Sequence, residues 1–214
     1  MQKPTMPAGG LYAITADVDQ PVDSLVAQVA AAIRGGAVVV QYRRKSVRAE
    51  IARQEVCALR KLCTDSNALL FVNDDLALAL DTGADGVHLG RDDGDWEALA
   101  TQADRTLLLG VSCYDDLQRA QRAASLGVDY VAFGSFFSSG TKPQARPCTI
   151  DTLRAARTTL AVPIVAIGGI TPENGADLVL AGANFLAVIS GLFAQPSIET
   201  AAARYASLYG EHHV

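Results

Sequence analysis

Four cysteines are spread through the 214 residues, and no two stand at C-x-x-C spacing. Cys57, Cys63, Cys113 and Cys148 therefore offer neither a disulfide framework nor a thiolate cage for a metal, and they read as the reduced thiols of a cytoplasmic protein. Histidine is scarcer still. There are three, two of them adjacent in the closing EHHV, which reads as a solvated polar tail. That scarcity argues against a zinc centre and leaves no Ser-His-Asp or Cys-His arrangement for nucleophilic catalysis. No apolar run reaches the roughly 18–20 residues that span a membrane, so no membrane partner is expected. The opening MQKPTMPAGG lacks the apolar core of a signal peptide. A basic excess is missing too: 18 Lys and Arg face 23 Asp and Glu, for a net charge of -5, which argues against nucleic acid as a partner. Small anionic ligands are still allowed, because a local cluster can oppose the global sign.

Aromatic residues make up only 6% of the chain, whereas hydrophobic residues make up 50%. Small and aliphatic side chains must build the core, and they do so in an alternation. Apolar runs recur at LYAIT (11–15), VVVQYR (38–43), LLFVN (69–73), GVHLG (86–90), LLLGVSC (107–113), YVAFGS (130–135), PIVAIGG (163–169) and NFLAVIS (184–190). Amphipathic segments separate them. In 23-DSLVAQVAAAIRGG-36, Leu25, Val26, Val29 and Ile33 recur at helical spacing. Several such segments close on a glycine (Gly36, Gly83, Gly127, Gly182), the residue that supplies a left-handed helix end. Strands this apolar, each followed by a helix, belong to a parallel sheet with a covered face. Eight repeats in about 200 residues predict an α/β fold, a closed (β/α)8 TIM barrel. A doubly wound sheet would place G-x-G-x-x-G after the first run, where 15-TADVDQ-20 stands instead. No linker interrupts the pattern, so a single domain over 1–214 is expected, with flexible ends at 1–10 and 209–214.

In such a barrel the functional residues lie at the C-terminal ends of the strands. After the second run comes 41-QYRRK-45, where period two puts Gln41, Arg43 and Lys45 on one face and Tyr42 and Arg44 on the other. An amide, a guanidinium and an ammonium in a row suit the oxygens of a phosphate. Asn73 and the pair Asp74-Asp75 end the third run, and Asp92-Asp93 follow the fourth. Neighbouring strands lie about 4.8 Å apart, so the two pairs have two readings. Either they are solvated helix caps, with Asp75 and Asp92 in that role, or they share a cation, for which oxygen ligands favour Mg²⁺. Ser112 stands at the end of the fifth run, one residue before Cys113, and 138-SSGTK-142 offers hydroxyls, a glycine and a lysine after the sixth. The last two runs end in 168-GGIT-171 and Ile189-Ser190, where barrels often bind phosphate with backbone N–H groups. His88, mid-strand, is expected to be a hydrogen-bonded barrel residue and not a base.

Taken in order, QYRRK, VNDD, GVHLGRDD, GVS, SSGTK, AIGGIT and VIS resemble the thiamine-phosphate synthase family, from Leu11 to Phe193. The resemblance implies a (β/α)8 barrel that joins an aminopyrimidine diphosphate to a thiazole phosphate and releases pyrophosphate. By position, Gln41, Arg43, Lys45 and Asn73 would hold the pyrimidine diphosphate, with Ser112 and Lys142 also contacting it. Asp74 and Asp93 would bind Mg²⁺, one ligand from each pair. Ser139, Gly140 and Thr141 would hold the thiazole phosphate, with Gly169, Ile189 and Ser190 as its other wall. Arg43, Lys45, Ser112 and Lys142 would serve the chemistry itself. In 134-GSFFSSGTK-142, Ser135 and Ser138 stand where the family has proline, which implies a looser loop over 136–149. Arg91 stands where glutamine is usual. A related barrel that isomerises a thiazole phosphate would need neither the QYRRK row nor both acidic ligands. A non-catalytic ligand-binding barrel would not need Lys142, Asp74 and Asp93.

Overall fold

The computed structural model describes residues 3–91, 93–137 and 147–213. These residues alternate strand and helix. The first half comprises β1 (Gly10–Ile14), α1 (Val22–Arg34), β2 (Ala37–Tyr42), α2 (Ala49–Asp65), β3 (Leu69–Asn73), α3 (Leu76–Thr82), β4 (Gly86–Leu89) and α4 (Trp96–Ala100). The second half comprises β5 (Leu108–Tyr114), α5 (Leu117–Ser125), β6 (Tyr130–Gly134), α6 (Ile150–Thr159), β7 (Ile164–Ile167), α7 (Pro172–Leu180), β8 (Phe185–Val188), α8 (Ser190–Phe193) and α9 (Ile198–Ala206). Each strand pairs in parallel with the next, and β8 pairs back onto β1, closing the predicted barrel. Gly83 closes α3 in the left-handed region (φ 65°), and Gly36, Gly127 and Gly182 also have positive φ.

Strand alternation divides the core in two. Tyr12, Ile14, Val39, Phe71, Leu108, Tyr130, Ala132, Val165, Phe185 and Ala187 fill the barrel interior. The intervening residues, such as Val40, Leu70, Val87, Leu109 and Val131, pack outward against the helices. Four of the thirteen aromatics, Tyr12, Phe71, Tyr130 and Phe185, lie inside, where Gly110 makes room for Tyr130. A Cβ at that position would lie 2.0 Å from the Tyr130 ring. At the N-terminal end of the barrel, Met6 packs under the interior cluster, and Lys3 pairs with Asp129 at 2.7 Å. A cavity of about 300 Å³ remains at that end, lined by Lys3, Met6, Leu108, Asp129 and Pro163 among others; the C-terminal ends of the strands lie at the opposite mouth. No helix among the described residues is long and apolar enough to cross a membrane.

Candidate active site

Gln41 on β2 and Ser112 on β5 belong to one chain of hydrogen bonds that crosses the barrel. Gln41 Nε2 donates to Tyr12 Oη at 2.9 Å, and Tyr12 Oη meets Tyr130 Oη at 2.9 Å. Tyr130 Oη meets His88 Nδ1 at 2.7 Å, and His88 Nε2 meets Ser112 Oγ at 2.8 Å. Burial raises both phenol pKa values, so both stay protonated. Burial also lowers the His88 pKa to about 4, so the imidazole is neutral. Each hydroxyl has one proton to give, so with Gln41 as first donor the chain runs one way. Tyr12 donates to Tyr130, Tyr130 to His88 Nδ1, and the remaining imidazole proton on Nε2 faces Ser112 Oγ. The Ser112 proton and the Gln41 carbonyl are then left available to a ligand. His88 is thus a hydrogen-bonded barrel residue, as expected. Tyr12 and Tyr130 carried no signal in the sequence beyond being aromatic strand residues, although period two does place both inside.

Above this layer stand the charged groups. β2 ends at Tyr42, so Arg43 and Lys45 lie on the connection beyond it. Arg43 N donates to Thr15 Oγ1 at 2.9 Å, and its guanidinium lies 3.9 Å from Asp17. Lys45 N donates to Asp17 Oδ1 at 3.2 Å. Asp17, in the connection after β1, is a site residue that the sequence did not single out. Tyr42 and Arg44 face the other way, against Glu55 of α2. The division of QYRRK into two faces is therefore real.

The third and fourth strands bring the acidic residues together. Asp74 N donates to His88 O at 2.9 Å, carrying the ladder one residue past β3, and Asp74 adopts φ 66°. Asp93 Oδ2 accepts from Gly90 N at 3.1 Å. The two carboxyl groups come within hydrogen-bonding reach of each other. The Asp74 pKa is raised to about 6, first by desolvation and then by Asp93, while Lys45 and Asn73 oppose the shift. Asp75 instead caps α3, accepting from Leu78 N at 2.8 Å, the cap role expected for it. The second pair differs. The cap of α4 is Asp95, which accepts from Ala98 N at 3.0 Å, and not Asp92. The helix begins only at Trp96, too far along the chain for Asp92 to occupy its cap position; Asp92 itself lies outside the described residues. A cavity of about 540 Å³ lies between the ends of β2 and β3 and the starts of α2 and α3, lined by Tyr42, Arg44, Lys45, Asn73, Asp74 and Asp75 among others; Asp93 is not part of its lining.

Across the mouth, Gly169 adopts φ 62°, and its carbonyl accepts from Asn174 Nδ2 at 3.1 Å. Thr171 and Asn174 form a capping box at the start of α7. Tyr205 Oη donates to Ile170 O at 2.9 Å, and a Cβ at Gly191 would meet both of those oxygens. The segments after β7 and β8, with Gly169, Ile189 and Ser190, are thus packed together. The N–H groups of Gly169 and Ser190 find no acceptor among the described residues. Ser139, Gly140, Thr141 and Lys142 lie outside the described residues. The flanks of their loop are tied down. Phe136 N and Phe137 N donate to Ile167 O and Gly168 O, Cys148 N donates to Ser135 O, and Ser135 Oγ donates to Phe137 O.

The model of a family described as thiamine monophosphate synthase matches residues 11–192. The chain belongs to that family. The thiamine-phosphate synthase of Acidithiobacillus ferrooxidans is 49% identical over 203 residues, covering 94% of each chain. That of Bordetella pertussis is 48% identical over 206 residues, again covering 94% of each. Among solved structures, thiamine phosphate pyrophosphorylase from Pyrococcus furiosus superposes with a TM-score of 0.85 at 32% identity. It covers 94% of this chain and 96% of its own.

Proposed function

We propose that this chain makes thiamine phosphate, joining an aminopyrimidinylmethyl diphosphate to a thiazole phosphate with release of pyrophosphate. Beyond family membership, the observation that carries the reading is the hydrogen-bond chain from Gln41 to Ser112, with Arg43, Lys45 and the acidic pair above it. Gln41 Oε1 accepts from the pyrimidine amino group, and the Ser112 hydroxyl donates toward the diphosphate. As the C–O bond to the diphosphate breaks, negative charge grows on the leaving group, opposite Arg43, Lys45 and Lys142. The electron-rich aminopyrimidine carries the resulting cation, so no protein nucleophile is required. The thiazole nitrogen then forms the new C–N bond, held in place by its phosphate at Gly169, Ile189, Ser190 and the loop of Ser139, Gly140 and Thr141.

The donor set fits Mg²⁺. Two carboxylates that repel each other in the bare protein are a poor arrangement without a cation, and magnesium is commonly held by one or two carboxylates plus substrate phosphates. Asp74 and Asp93 would hold it, with the Asn73 amide steadying Asp74. When bound, the ion neutralises charge on the pyrophosphate oxygens. The unpaired cysteines suit a reducing, cytoplasmic setting.

Incubating the chain with both substrates and Mg²⁺ tests the reading. Thiamine phosphate and pyrophosphate are expected in equal amounts, with turnover lost on chelation. A change in the thiazole phosphate without pyrophosphate release would instead identify the isomerising barrel.

A further inference from the structure

Glu55 has no part in the reaction described above, yet it is a fully buried carboxylate (0% exposed) on α2. Both of its oxygens are used: Oε2 accepts from Tyr42 Oη at 2.6 Å and Oε1 from Arg44 Nη1 at 2.9 Å. The Arg44 side chain is itself only 8% exposed, and its other nitrogen reaches the exposed Asp19 at 3.2 Å. A buried ion pair is a poor source of stability, because the cost of desolvation offsets most of the attraction and apolar replacements often do as well. Such a pair is better explained by what it orients.

Its placement supplies the explanation. The β2 ladder ends at Tyr42, and beyond that residue no strand pairing enforces the alternation of faces. Tyr42 and Arg44 flank Arg43, and one carboxylate holds both of them outward. Arg43 must then turn inward, and Lys45, next in alternation, follows it. On the inner side Thr15 and Asp17 receive the N–H groups of those two residues.

We infer that Glu55, with Tyr42 and Arg44, forms a staple behind the strand end, a positioning device that aims Arg43 and Lys45 at the diphosphate. The inference rests on the proposed diphosphate role of Arg43 and Lys45. The staple works as a unit, so its members can be replaced together without leaving a buried charge unpaired.

Two variants and one control test it. Tyr42→Phe removes a single hydroxyl and should raise the Michaelis constant for the pyrimidine diphosphate about three- to tenfold. The triple variant Tyr42→Phe/Arg44→Met/Glu55→Leu should melt at or above the wild-type temperature. It should nevertheless raise that constant and the inhibition constant of inorganic pyrophosphate at least tenfold, leaving the thiazole phosphate constant unchanged. A merely structural role would move both substrates together or neither. Arg43→Ala is the control. If it weakens the pyrimidine diphosphate while both staple variants behave as wild type, the staple is wrong and the diphosphate site stands. If Arg43→Ala leaves the pyrimidine diphosphate unaffected, both fail.

Discussion

Asp74 is held in the left-handed region of backbone space, which asparagine and aspartate tolerate and most side chains do not. Alanine at this position would mix backbone strain with loss of the carboxylate, so asparagine is the clean substitution. Removing one charge from a like-charged pair should leave Asp74→Asn at least as stable as wild type in the absence of metal. Millimolar Mg²⁺ should raise the melting temperature of the wild type and not that of the variant, and turnover should fall about a hundredfold or more. An equal melting shift in both proteins would count against the proposal that Asp74 binds magnesium. The acidic residues were legible in the sequence as pairs at two strand ends. Which member of each pair does what was only half legible, because a cap is defined by where the helix starts. Asp75 begins α3 directly, whereas α4 begins three residues after Asp93 and takes Asp95 as its cap.

At the scale of elements, capping and strand ends separate stability from function. Among the described residues the Asp75 side chain bonds only the first turn of α3, through Leu78 N, and Asp75→Ala should cost about 1 kcal/mol. Urea unfolding should show that loss while kcat stays within twofold of wild type. A large fall in kcat would mean that Asp75 and not Asp74 serves the site. The outline of β2 was readable from its apolar alternation, and so were the two faces of QYRRK. Neither Glu55 nor Asp17 was singled out. Glu55 lies on a helical segment where a glutamate ordinarily faces water, and only the packing of α2 behind β2 buries it. Asp17 lies in an irregular connection, whose path depends on the elements it joins.

For the whole molecule, the buried chain from Gln41 to Ser112 links the site to global stability. The unfolded chain takes up a proton on His88 near its ordinary value of 6.5, whereas the folded protein resists protonation until about pH 4. Between those values the unfolded state binds more protons, so stability is fully present above about pH 6.5 and is lost as pH falls toward 4. The whole effect is about 3 kcal/mol. His88→Asn should be less stable at pH 7 but should lose about 2–3 kcal/mol less than wild type between pH 7 and 4.5, as read by urea unfolding at each pH. Equal losses would mean that His88 is not held neutral.

The sequence by itself determined the alternation of eight strands with helices, the closed barrel, and the mouth at which Gln41, Arg43, Asn73, Asp74, Asp93 and Ser112 stand, although Arg43 and Asp93 lie beyond their strands and β5 runs on past Ser112 to Tyr114. These follow from local periodicity and from residue type at a given position, and a linear chain carries both. Only the tertiary structure decided that Tyr12 and Tyr130, 118 residues apart, would meet at the barrel axis and connect Gln41 to Ser112 through a neutral His88. The same holds for Asp74 meeting Asp93 and for Glu55 gripping both neighbours of Arg43. Those contacts exist because barrel closure brings side chains from separate strands onto one axis, and because helix packing removes water from groups that would otherwise be solvated.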